Sequence, residues 1–133
     1  MTPEGGRSGP LFALLGAAAG LGVALAGRQW LDVVEVQGRS MAPSLLPGDR
    51  LLVESLTYRR RAPRTGEVVL ALDPRAPERE LIKRVHATGP ELDLRGDALD
   101  QSTDSRTFGE VPTAAVRWRA VLRYWPPGRA GRI

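Results

Sequence analysis

The chain has 133 residues, no cysteine, one histidine and a formal charge of +4, with an isoelectric point near 10.6. That length suits one domain with a modest core, and the lack of cysteine excludes a disulfide framework or a thiolate metal site. The basic balance does not by itself indicate nucleic-acid binding: the densest basic run, Tyr58 to Arg64, has no groove-reading helix or set of stacking aromatics beside it. It reads either as a solvated loop or as a partner for anionic lipid.

Residues 8–27 carry no charge, and the 17 residues Leu11 to Gly27 are apolar or glycine throughout. As a helix they rise about 26 Å, against a hydrocarbon core of ~30 Å. Arg7 before this run and Ala24 to Ala26 near its end also fit a cleavable secretory signal. The run exceeds the usual signal core of about 7–15 residues, which favours an uncleaved anchor. We expect a transmembrane helix over about residues 10–28 within an anchor of residues 1–31. A single-pass protein of the cell membrane follows, with residues 32–133 outside the cytoplasm.

After the anchor, short β-rich runs alternate with turns. Strands are expected at Val33 to Gln37, Arg50 to Glu54, Glu67 to Leu72, Leu81 to His86, Glu91 to Arg95 and Val116 to Trp125. Pro47-Gly48-Asp49, Thr65-Gly66, Gly89-Pro90 and Gly96-Asp97 punctuate them, and Asp73 to Glu80 reads as a charged loop. No segment after residue 32 keeps a helical period. The expected fold class is mostly β: a compact β domain, residues 32–133, with one N-terminal transmembrane helix.

Ser40, in "GRSMAPSLLPGDRLLVE", is either a nucleophile or an ordinary turn residue. A serine hydroxyl needs a base to become nucleophilic, and a lysine held neutral can serve. The chain writes its cations as 18 arginines and one lysine, Lys83. Arginine cannot lose its proton at accessible pH, so the exception carries information. Strand alternation places Lys83 on the face of Leu81 and Val85, where burial lowers an amine's pKa; the alternative is a lysine snorkelling from a strand. His86, three residues on, faces the other side. Ser102, Asp104, Ser105 and Arg106 cluster in "GDALDQSTDSRTFGEVP", either as an exposed loop or as groups that orient a base.

Taken in order, "GRSMAPSLLPGDRLLVE", "TGEVVLALDP", "LIKRV" and "GDALDQSTDSRTFGEVP" resemble the motif boxes of the signal peptidase I family, membrane-anchored serine proteases with a Ser/Lys dyad. "STDSRTFG" and the terminal "RYWPP" further resemble its short members that mature nickel superoxide dismutase. The resemblance implies Ser40 as nucleophile, Lys83 as general base and Met41 as a neighbour shaping the site. It implies that Ser102 hydrogen-bonds the lysine and that Asp104 with Arg106 braces the loop. Val36, Gln37, Gly38, Leu81 and Ile82 would flank an extended substrate. Gly38 departs from members carrying a hydroxyl there, which leaves the Ser40 N–H as oxyanion donor, and Ala98 replaces a common asparagine. The implied activity is peptide-bond hydrolysis on exported or N-terminally extended precursors, at a lipid bilayer, with no cofactor and no nucleic acid. One dedicated superoxide dismutase propeptide is an alternative substrate, and an inactive, membrane-tethered peptide-binding domain is an alternative function.

Overall fold

The computed structural model describes residues 27–133. The expected transmembrane helix falls almost wholly on residues 1–26, outside the described residues. Among the described residues no helix is long and apolar enough to cross a membrane. Leu31–Ile133 forms one unit.

Its strands are β1 (Leu31–Glu35), β2 (Arg50–Glu54), β3 (Val68–Asp73), β4 (Ala76–Thr88), β5 (Leu92–Arg95), β6 (Val116–Trp125) and β7 (Gly131–Arg132). They form a single sheet in the order β1-β2-β6-β3-β4-β5, with β7 beside β6, and every pairing is antiparallel. Single-turn helices α1 (Thr57–Arg60) and α2 (Ser105–Phe108) interrupt it.

The hydrophobic pattern explains which strands face what. In β2, Leu51 and Val53 point inward while Arg50 is exposed, the alternation of a strand with one covered face. The run Val68-Val69-Leu70-Ala71 has no such alternation and is buried on both faces of the sheet. Val68 and Leu70 join a core with Val36, Met41, Leu45 and Leu51. Val69 and Ala71 join a second one with Val85, Leu92, Leu94 and Val111. Each fully buried branched side chain stabilises the domain by about 1.5–3 kcal/mol relative to exposure.

β2 and β6 have the expected bounds, whereas the other four expected strands differ; β3 is shifted by one residue, to Val68–Asp73. β1 runs two residues earlier than expected, because Val36 leaves the ladder to bond the Pro-Gly-Asp turn: its N–H donates to Asp49 O at 2.8 Å, and its carbonyl accepts from Gly48 N at 2.9 Å. Glu91 lies outside β5. The charged segment Asp73 to Glu80 is a tight hairpin, not a loop, and β4 extends over 13 residues. The buried Asp73 carboxylate accepts from Arg75 N at 2.9 Å and from the Arg75 Nε and Nη2 at 3.0 and 2.9 Å, which closes the turn.

Asp49 anchors the turn after the Ser40 segment. Buried, it accepts from Leu46 N at 2.9 Å, Arg123 Nη1 at 3.2 Å and Arg129 Nη1 at 2.9 Å. A buried carboxylate is tolerable only with partners of this kind.

Candidate active site

Ser40 lies in the turn that follows β1. Gly38 takes φ +73° there, a left-handed conformation costly to residues with a Cβ. The Met41 and Leu45 side chains are buried in the first core, and Leu45 N donates to Met41 O at 2.9 Å. The polypeptide on either side of Ser40 is thereby fixed. The Ser40 carbonyl accepts from Ala98 N at 2.9 Å, tying this turn to the loop that carries Ser102 and Asp104.

Lys83 stands on β4 opposite Val69 of β3, and only 3% of it is exposed. Its Nζ donates to Ser102 Oγ at 3.1 Å, and the Ser102 hydroxyl donates to Asp104 Oδ2 at 2.7 Å. Asp104 is fully buried. It also accepts from Gly96 N at 2.9 Å, from Arg106 N at 3.1 Å, and from the Arg106 Nε and Nη2 at 2.9 and 2.6 Å. Asp104 caps α2 as well, since the Arg106 N–H is one of that helix's free donors.

Burial pulls the Lys83 amine below the ordinary lysine range; Asp104 opposes this, and Arg106 and Arg75 reinforce it. For Asp104, burial acts upward, but the hydrogen bonds from Arg106, Ser102 and two backbone N–H groups outweigh it and hold the carboxyl far below its usual range. Burial thus disfavours the charged form of the Lys83 amine, beside a carboxylate whose hydrogen bonds favour ionisation, with the Ser102 hydroxyl between them.

A cleft of about 690 Å³ runs between residues 34–41 and residues 79–83. Ser40, Met41 and Lys83 line it together, as do Val36, Gln37, Gly38, Leu81 and Ile82. Ser102 reaches it through its hydrogen bond to Lys83, with Asp104 behind Ser102 and Arg106 behind Asp104. His86 is exposed on β4, at a shift in the β4–β5 register between Val85 and Ala87.

Three contributors escaped the sequence reading. A Cβ on Gly96 would collide with the Ser102 side chain and with the Ser40 carbonyl, so only glycine lets these two segments meet. Arg84 makes a two-point contact with Asp97 at 2.9 and 2.8 Å, and Asp97 also accepts from the Ser44 side chain. Leu70 supplies an apolar wall of the cleft. The Gly-Asp pair at Gly96-Asp97, which both marks a turn and opens the last motif box, is the available signal.

The chain is similar in sequence to known proteins. The family model described as "Signal peptidase, peptidase S26" matches residues 11–92. The mitochondrial ATP-independent inner membrane protease subunit 1a of Arabidopsis thaliana is 35% identical, over 80% of this chain and 77% of that protein. The mitochondrial inner membrane protease subunit 1 of Xenopus tropicalis is 34% identical, over 71% and 70% respectively. Subunit 2 of Danio rerio is 32% identical, over 76% and 68%. With the family model covering more than half of the chain, and relatives above 30% identity covering more than two thirds of it, this protein belongs to the signal peptidase, peptidase S26 family and is a serine-type peptidase of the signal peptidase type.

Proposed function

We propose that the chain is a membrane-bound endopeptidase that uses Ser40 and Lys83 as a dyad to remove N-terminal segments from precursor proteins. The carrying observation is the state of Lys83: buried, drawn below the ordinary amine range and lining one cleft with Ser40. Neutral Lys83 takes the Ser40 proton as Oγ bonds the scissile carbonyl carbon. It then delivers that proton to the leaving amine as the C–N bond breaks. In the second half Lys83 activates water, which releases the acyl group and restores Ser40. The Ser40 N–H stabilises the oxyanion, without help from a side chain at Gly38. Ser102 orients Lys83, Asp104 and Arg106 hold Ser102, and Met41 fixes the turn beneath the nucleophile.

An extended substrate would lie between residues 36–38 and residues 81–82 as an added strand. Residues 1–31 act as anchor and residues 32–133 as the catalytic domain, in keeping with relatives named as inner membrane proteases. Ser40 follows Leu31 by nine residues, a reach of at most ~30 Å, so the cleft works close to the bilayer. General signal-peptide processing is the preferred substrate assignment. A single dedicated propeptide, such as that of a nickel superoxide dismutase, would leave most exported precursors processed in a deletion strain.

The test is acid-quenched reaction with an ester of a precursor peptide, followed by intact-mass and fragment analysis. An acyl group on Ser40, absent from Ser40→Ala, is expected. Hydrolysis by Ser40→Ala at the wild-type rate would refute the assignment.

A further inference from the structure

The basic run Tyr58 to Arg64 takes no part in the cleft, yet it is rigidly built. Glu67 gathers Arg61 at 2.8 and 3.1 Å, the Tyr58 hydroxyl at 3.2 Å, the Arg64 N–H at 2.7 Å and Arg119 Nε at 2.8 Å, while Pro63 is buried. The internal charges are thus spent on one another. Arg59, Arg60 and Arg64 remain exposed, with no ion pair to a carboxylate among the described residues.

Their place in the fold is specific. Leu31, the first residue of β1, pairs with Glu54, the last of β2. The Glu54 carboxylate accepts from Thr57 N at 2.9 Å and starts α1 there. Arg59 and Arg60, in α1, therefore follow the partner of Leu31 by five and six residues. Leu31 and Leu56 add exposed apolar surface, at 47% and 41%.

We infer that Arg59, Arg60 and Arg64, together with the exposed Leu31 and Leu56, form a docking face for anionic lipid headgroups. This inference rests on the reading of residues 1–31 as a membrane anchor. The anchor tethers the domain, and the arginines set its tilt on the bilayer. Three guanidinium groups on a fixed base suit a surface of phosphodiesters, since each adjacent cation strengthens such attraction about five-fold. The three together favour the docked orientation on the order of a hundred-fold.

The experiment uses the full chain in phosphatidylcholine vesicles, with or without phosphatidylglycerol. Because the chain has no cysteine, Ala62→Cys gives one fluorophore site at the arginines and Thr88→Cys gives one where β4 pairs with the edge strand β5, at the far edge of the sheet from β1. Quenching by headgroup-nitroxide lipid is read for each. At Ala62 quenching is expected to rise with phosphatidylglycerol and to fall as salt shortens the Debye length from ~10 Å to ~3 Å. It is expected to vanish in the Arg59→Gln, Arg60→Gln, Arg64→Gln triple variant, whose retained peptide cleavage in detergent shows that it folds. Thr88 quenching should not change. Ala62 quenching that ignores lipid charge, or survives in the triple variant, overturns the docking face. A carbonate wash tests the anchor separately: chain released from the vesicles refutes the anchor, and charge-dependent quenching before the wash would still support the face.

Discussion

Gly96→Ala is the smallest change that should disable this site without touching a reacting atom. The added Cβ would meet the Ser102 side chain and the Ser40 carbonyl, and carbon contacts need about 3.5–4.0 Å, so these neighbours must retreat by ~1 Å. Neither is free to do so. Ser102 Oγ is held between Lys83 and Asp104 at 3.1 and 2.7 Å, and the Ser40 carbonyl is held by Ala98 N at 2.9 Å. Overpacking of this kind costs about 1–3 kcal/mol of stability. A misplacement of ~1 Å between reacting groups costs on the order of 10²-fold in turnover. Gly89→Ala is the control, because its Cβ would meet only Glu91 O at an ordinary 3.7 Å. Steady-state cleavage of a fluorogenic precursor peptide, with thermal unfolding of each variant, provides the readout. We expect kcat to collapse in Gly96→Ala while KM changes little, and both to be near wild type in Gly89→Ala. Wild-type kcat in Gly96→Ala would refute the claim that contact between the two segments positions the site.

Three other outcomes follow from the same geometry. Ser102→Ala leaves Lys83 without its acceptor and removes one of the donors to Asp104, a loss of about 1–3 kcal/mol, so kcat should fall about 10- to 100-fold and recover in part in Ser102→Thr. Arg106→Gln removes a cation that depresses Lys83 and frees Asp104 to hold the ammonium form; the acidic limb of the kcat/KM–pH profile should move to higher pH. Asp104, Asp73, Glu67 and Asp97 are all held below the ordinary carboxylate range. The folded state therefore binds fewer protons in acid than the unfolded one. Their stabilisation should be complete above about pH 4 and lost as pH falls below it, as urea unfolding at a series of pH values would record.

The sequence carried the β architecture where one physical rule acted alone. Leu51 and Val53 lie two apart between the charged Arg50 and Glu54, and Val68 to Ala71 form an unbroken apolar run, so burial on one face or on two was readable in both cases. The hairpin at Asp73 to Glu80 was not, because its charges resemble a solvated loop until Asp73 turns inward onto Arg75. The residues singled out by motif, from Val36 to Met41 and from Leu81 to Lys83, do line one cleft. What brings them there depends on contacts far apart in the chain. Arg84 meets Asp97 across 13 residues, and Ala98 N and the bare face of Gly96 meet the Ser40 carbonyl across more than fifty, and no local pattern announces them. The same holds for Asp49, whose partners Arg123 and Arg129 come from the far end of the sequence.

The identity of the base is the central claim, and Lys83→Arg beside His86→Ala tests it most directly. Arginine keeps the charge and most of the length of lysine but cannot surrender its proton, while the exposed His86 stands away from the cleft lining. With folding checked by circular dichroism, cleavage of the precursor peptide should fall at least ~10²-fold in Lys83→Arg and stay near wild type in His86→Ala. Normal cleavage by Lys83→Arg, with loss in His86→Ala, would contradict the Ser40–Lys83 mechanism.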